Sequence, residues 1–219
     1  MIFRRHDLVF SKWDEGDLAG LAHKNFKGLI MSGTLPGIVR REESVESPKM
    51  SNHYTEEDIV YLGFVYPNKE NGSRVRFGTS IDGSRIERCL TPYDVADMEY
   101  EERSGPLKAL TELRSDFDVG VWGSSSLEIV TGYHYTNETS DLDAICEYHD
   151  SLEVEELHSK VTELEGDIGI RIDVEITIPT GYGINLKEYA QGGKTLLAKG
   201  LRDVILINRN AFGKLHDPL

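Results

Sequence analysis

Between residues 152 and 178 the chain changes its hydrophobic period once. In LEVEELHSKVTELE, Val154, Leu157, Val161 and Leu164 recur at helical spacing and predict a helix with one apolar stripe. In RIDVEITIP, Ile172, Val174, Ile176 and Ile178 alternate with Asp173, Glu175 and Thr177, which predicts a strand with one apolar and one polar face. Upstream, Pro106 suits the first turn of a helix over LKALTELR, and DVGVW reads as a strand. A short helix over SSLEIV follows, with Gly132 where a C-terminal cap belongs, and SDLDAICEY reads as the next strand. LKEYAQGGKTLLAK predicts a helix and DVILIN a strand. The order αβαβαβαβ implies a small mixed sheet with helices packed mostly on one face.

The first part of the chain has a different texture. DLVF, GLIM, GIVRR, IVYLGFVY and SRVRFG are short apolar or alternating runs separated by Gly or Pro, which predicts a mainly β unit with one short helix. Residues 41–58 are polar, carry Pro48 and read as a loop. Residues 91–105 are acidic, end in Ser-Gly and precede Pro106, so they read as a linker. The expected fold class is α+β: residues 1–105 form a smaller, mainly β domain for substrate or partner recognition, and residues 106–219 form a catalytic domain.

Composition narrows the chemistry. Apolar residues make up 39% of the 219 and charged residues 28%, as in ordinary globular chains. A formal charge of −14 argues against a groove that tracks a nucleic-acid backbone, and a polyphosphate ligand would need a cation or a local Arg/Lys cluster. No apolar run is long enough for a membrane span, and the N-terminus does not read as a signal peptide. The two cysteines, Cys89 and Cys146, make no disulfide framework, so a cytoplasmic location is expected.

The polar pattern concentrates in GSSSLEIVTGYHYTNETSDLDA, residues 123–144. Asp141 and Asp143 share a face if they lie on a strand, and together they suit a hard cation such as Mg²⁺, with Mn²⁺ as the alternative. Asp173 or Glu175 on the neighbouring polar face would add a third carboxylate. The Gly-Ser turn supplies the complement: Gly123 permits a tight strand-to-helix turn, and the helix start with Ser124 and Ser125 offers N–H and O–H donors to phosphate. Asp116 and Asp118 repeat the D-x-D spacing at the wrong end of a strand and read as loop or cap residues. Gly192-Gly193-Lys194-Thr195 is no P-loop, because residue 188 is Glu.

The Gly-Ser turn, the D-x-D strand and the third acidic strand together resemble the nucleotidyltransferase superfamily typified by DNA polymerase β. The longer run VWGSSSLEIVTGYHYTNETSDLDA, with RIDVEITIPTGYGINLKEYAQGG and KTLLAKG, resembles the phosphoribosyl-dephospho-CoA transferase family, the holo-acyl-carrier-protein synthases of malonate decarboxylase. RHDLV, PGIVRR and SRVRFG resemble it more loosely. Trp122 in place of Tyr, Ala144 in place of a larger aliphatic residue and Val174 in place of Gly depart from the family pattern, and none removes a metal ligand.

The resemblance implies a polymerase-β-like catalytic domain that moves a prosthetic group from triphosphoribosyl-dephospho-CoA to a serine of the malonate decarboxylase acyl carrier protein, releasing pyrophosphate. It implies Mg²⁺ on Asp141 and Asp143, with Asp173 as third ligand. Asp173 or Glu175 would deprotonate or orient the serine, and Gly123 with Ser124 would hold the pyrophosphate. Arg40, Arg41, Arg74 and Arg76, with Lys187 and Lys194 as alternatives, are the basic residues expected to bind the donor or dock the carrier protein. Two other readings compete. One is a nucleotidyltransferase that uses an NTP to modify a small molecule or protein. The other is a non-catalytic adaptor for a carrier protein or nucleotide.

Overall fold

The computed structural model describes residues 1–41, 52–178 and 180–209. The N-terminal half contains β1 (Ile2–Phe3), β2 (Leu8–Ser11), α1 (Lys24–Met31), β3 (Gly37–Val39), β4 (Tyr54–Thr55), β5 (Ile59–Glu70), β6 (Ser73–Asp82) and β7 (Ile86–Leu90). Five of these strands form an antiparallel sheet in the order β6-β5-β3-β2-β7, and β1 pairs separately with β4. GLIM belongs to α1, whose Phe26 and Ile30 pack into this half's core. Of the expected loop over 41–58, residues 42–51 lie outside the described residues, while Tyr54–Thr55 is the strand β4.

The second half begins inside the expected linker. Thr91 and Asp94 form a reciprocal capping box, and Pro92 sits in the first turn, so α2 (Pro92–Ala96) forms where acidity alone suggested open chain. It packs Val95 and Ala96 into the core of the second half. There follow α3 (Gly105–Arg114), β8 (Gly120–Trp122), α4 (Gly123–Thr131), β9 (Leu142–Glu147), α5 (Ser151–Ile168), β10 (Ile172–Thr177), β11 (Gly183–Asn185), α6 (Leu186–Ala190), β12 (Thr195–Lys199) and β13 (Val204–Asn208). The six-stranded sheet runs β13-β12-β11-β10-β9-β8 and is mixed: β9 and β10 are parallel, and the other neighbours are antiparallel. The class is therefore α+β.

Local signals account for most boundaries. Asp150 caps α5 by accepting from the N–H groups of Leu152 and Glu153 at 2.8 and 2.9 Å, and Gly169 ends it at φ 77°. Gly132 ends α4 at φ 72°. The stripe Val154, Leu157, Val161 and Leu164 is buried against the sheet, each side chain contributing about 1.5–3 kcal/mol of apolar burial. One expected helix is wrong in its second half. α6 stops at Ala190, Gly192 takes φ 75°, and TLLAK continues as β12, burying Leu196 and Ala198 while Thr195, Leu197 and Lys199 face out.

The sheet thus has two unlike faces. Leu142, Ala144 and Cys146 with Ile172, Val174 and Ile176 lie in the core that α3 and α5 cover. Asp143, Ile145 and Glu147 with Asp173, Glu175 and Thr177 point the other way, toward the N-terminal half. Several contacts close the two halves on each other. The Arg4–Asp7 turn meets Glu175, Tyr135 Oη donates to Val65 O at 2.8 Å, and Arg202 reaches Asp58 at 3.4 Å while lying over the Tyr54 ring.

Candidate active site

Trp122, Asp143 and Asp173 are direct neighbours across β8, β9 and β10. The β spacing of about 4.8 Å sets the two aspartates side by side. Asp141 lies just before β9 and is 50% exposed, whereas Asp143 is half-buried. Arg171 bonds Asp173 through Nε at 2.8 Å and through Nη2, and reaches Asp141 at 4.0 Å. Burial, then the charges of Asp173 and Asp141, push the Asp143 carboxyl up to about 7, against the pull of Arg171.

The turn before α4 is moulded around this carboxylate. Gly123 takes φ 70°, and a Cβ there would lie 2.3 Å from Asp143 Oδ2. Only glycine offers both the left-handed backbone and the space. Ser124 is half-buried, Ser125 is fully buried with Oγ unbonded among the described residues, and Ser126 Oγ donates to Gly123 O at 2.9 Å. Behind α4, the buried Glu128 accepts from Thr136 N and Oγ1 at 2.7 and 2.8 Å and pairs with Arg103. That network fixes the start of the loop leading to Asp141.

Glu175 shares the polar face with Asp173 but is committed elsewhere. It pairs with Arg5, and His6 Nε2 stands 3.6 Å away. Burial alone would raise its pKa, but His6 and Arg5 more than offset this and hold it at about 2. His6 has φ 77° and stacks on Trp122 with ring centroids 3.9 Å apart, while burial lowers its own pKa. Trp122 Nε1 donates to Ala144 O at 3.1 Å. Arg5 and His6 lie in RHDLV, which resembles the family only loosely, and no local pattern there assigns either residue to the site.

Among the described residues, no set of three or more His, Cys, Asp and Glu side chains converges as a ready metal cage. Asp173 is drawn to Arg171 instead. The donor chemistry nonetheless fits a hard cation: every donor is a carboxylate oxygen, and the carboxylate repulsion that adds to burial in raising Asp143 is what a cation would relieve.

The expected basic residues scatter. Arg74 donates through Nη2 to His134 O and Tyr135 O at 3.0 and 2.8 Å, with its guanidinium 4.8 Å from the Tyr135 ring centroid. Arg40 is half-buried with its guanidinium over Gly78, while Arg41, Arg76 and Lys194 are exposed. Lys187 pairs with Glu165 at 2.6 Å. Of the decoy pair, Asp116 binds Lys160 at 2.8 Å in the turn after α3.

Residues 94–210, more than half of the chain, match the family model described as Phosphoribosyl-dephospho-CoA transferase MdcG C-terminal domain. The chain is similar to the phosphoribosyl-dephospho-CoA transferase of Bradyrhizobium diazoefficiens, at 30% identity over 100 residues, which spans 46% of this chain and only 44% of that protein. It is 25% identical over 183 residues to the protein of that name from Xanthomonas axonopodis pv. citri, covering 81% of each. For Xanthomonas campestris pv. campestris the figures are 24% over 213 residues and 95% of each. No solved structure matches. The chain is an enzyme of the transferase class. Within that class it belongs to the phosphoribosyl-dephospho-CoA transferase MdcG family. Among the described residues, no helix is long and apolar enough to cross a membrane.

Proposed function

We propose that this chain transfers the 2'-(5''-phosphoribosyl)-3'-dephospho-CoA group from its triphosphate precursor to a serine of the malonate decarboxylase acyl carrier protein, in the cytoplasm. The observation that carries this reading is the register placing Asp143 beside Asp173 and against the Gly123 turn, in a chain of this family. The strand-turn-helix followed by two parallel acidic strands supports a polymerase-β-like catalytic unit, with the N-terminal sheet as the recognition unit.

In this reading the serine Oγ attacks the phosphorus next to the ribose, a new P–O bond forms, and pyrophosphate leaves with the electrons of the bond that breaks. Asp141, Asp143 and Asp173 would hold Mg²⁺ or Mn²⁺, which when bound offsets the charge of the triphosphate. Gly123 and the start of α4 offer backbone N–H groups to the pyrophosphate. Arg171 orients Asp173, which accepts or directs the serine proton. Glu175, held ionised by His6 and Arg5, is a poor base and instead fastens the N-terminal turn over the site.

The test is pyrophosphate release by the full chain given triphosphoribosyl-dephospho-CoA and the carrier protein, compared with ATP in place of the donor. Release with ATP alone would transfer the assignment to an NTP-consuming nucleotidyltransferase.

A further inference from the structure

A cavity of about 490 Å³ lies on the acidic sheet face, beside the Arg4–Asp7 turn. Its size falls in the roughly 300–1,000 Å³ range of small-molecule sites. Ile145 and Thr177 form part of its floor. They stand two and four residues beyond Asp143 and Asp173, so at the rise of a strand they lie about 7 and 13 Å from the carboxylate row. The cavity is therefore a continuation of the candidate active site along β9 and β10, and none of the expected site residues except Glu175 lines it.

Charge decides what the cavity can hold. Its lining includes Arg4 and Glu147, neither of which pairs with an opposite charge among the described residues. Arg5 is neutralised by Glu175. Asp7 adds a further carboxyl, so the lining as a whole carries no surplus of positive charge, is unsuited to the triphosphate, and leaves Arg4 as the cation for a shorter phosphate at its edge. Apolar surface from Ile145 and the rings of Tyr93 and Tyr148 suit the faces of a flat heterocycle, and the Glu147 carboxylate suits an exocyclic amine.

We propose that this cavity binds the adenine base of the donor, with Arg4 meeting the diphosphate that leads out to the pantetheine arm. The proposal rests on the donor assigned above. In that donor the base is separated from the triphosphate by two linked ribose rings, which span the gap between the carboxylate row and the cavity. The pantetheine, joined through the diphosphate, then extends away from the reacting phosphate.

The experiment is calorimetric titration of the full chain with ADP, IDP and 4'-phosphopantetheine, none of which carries the triphosphoribose. Wild type should bind ADP, bind IDP at least about tenfold more weakly because the amine is gone, and show no heat with phosphopantetheine. Thr177→Tyr, which fills the floor, should weaken ADP at least about tenfold. Glu147→Ala, at an exposed position that leaves folding intact, should bring ADP and IDP within about twofold of each other. Tighter binding of phosphopantetheine than ADP, or unchanged ADP and IDP affinities in Glu147→Ala, would overturn the proposal, and the second decides alone should Thr177→Tyr not fold. Pyrophosphate release on the same preparations separates the two readings. A chain that turns over the donor but fails these titrations keeps its function and loses the purine site. One that passes them without turnover keeps the purine site and loses the function.

Discussion

The Asp143 carboxylate occupies the space in front of Gly123 so closely that a Cβ at 123 would stand 2.3 Å from Oδ2. With φ at 70°, alanine would meet both a steric clash and a left-handed backbone. Gly123→Ala should therefore destabilise the chain by about 1–3 kcal/mol and displace Asp143. Pyrophosphate release should fall by more than about tenfold, since misplacing a reacting group by about 1 Å has effects of that order. Urea unfolding and turnover check the two parts separately. Wild-type turnover in Gly123→Ala would show that this turn does not shape the site.

Asp173 and Glu175 share a face and should nonetheless fail in opposite ways. Asp173 is bonded to the 64% exposed Arg171, so Asp173→Asn should leave stability nearly unchanged and abolish turnover. Asp141→Asn should do likewise, and Asp143→Asn should abolish turnover while raising stability at pH 7, because it removes a half-buried carboxylate pushed up to about 7 by burial and by its acidic neighbours. Glu175 is in a largely covered pair with Arg5, and breaking one side of a fully buried pair costs about 3–5 kcal/mol, an upper bound here. Glu175→Gln should lower the melting temperature strongly, and adding Arg5→Met should recover part of the loss. A double-mutant cycle on melting and turnover measures the coupling. Equal stability loss in Asp173→Asn and Glu175→Gln contradicts this division of roles.

These contrasts mark where the sequence could be read and where it could not. The stripe from Val154 to Leu164 and the alternation from Ile172 to Ile178 are set by neighbours within one element, so period alone placed both faces correctly. The two acidic strands could be read as one site, but the sequence left open whether Asp173 or Glu175 stood beside the Asp141/Asp143 pair, and only the register of β9 on β10 sets Asp173 beside Asp143. β12 was hidden because LKEYAQGGKTLLAK reads as one helix unless the paired glycines are taken as its end. α2 was hidden because the acidic residues around it outweighed a capping box only five residues from its end. The closure of Arg5 on Glu175 joins residues 170 positions apart through the fold of both halves, and no local pattern encodes it.

Asp7 supplies a pH signature away from the aspartate row. Burial raises its carboxyl from 3.8 to about 6, although the Arg4 N–H, at 2.7 Å, and the Cys89 thiol oppose the shift. Between those pH values the native chain keeps a proton that the unfolded chain has released. Stability should therefore decline as pH rises from about 4 to about 6 and level off above, a loss of up to about 3 kcal/mol. Asp7→Asn, which keeps an acceptor for Arg4, should remove this contribution and be the more stable protein at pH 7. Urea unfolding of both proteins at several pH values tests the sign, and a difference that does not grow across this window would contradict the burial argument.

The arginines divide by what they already hold. Arg74 is spent on the backbone of His134 and Tyr135, in the loop that leads from α4 toward Asp141. Arg74→Glu should lose about 1.5–3 kcal/mol of stability and slow turnover with any acceptor. Arg40, folded over Gly78, should also respond first in stability. Arg41 and Arg76 are exposed, so charge reversal there should change stability by no more than about 0.5 kcal/mol. Since the chain carries −14 overall, an acidic partner can be drawn in only by local positive charge. Arg41→Glu and Arg76→Glu should lower kcat/KM for the carrier protein while leaving donor affinity unchanged, and the difference from wild type should shrink as salt is raised. Lys194, exposed near the end of the sheet, is the comparison site. If Lys194→Glu impairs carrier transfer and Arg41→Glu and Arg76→Glu do not, the carrier docks against the catalytic sheet and not against the N-terminal strands.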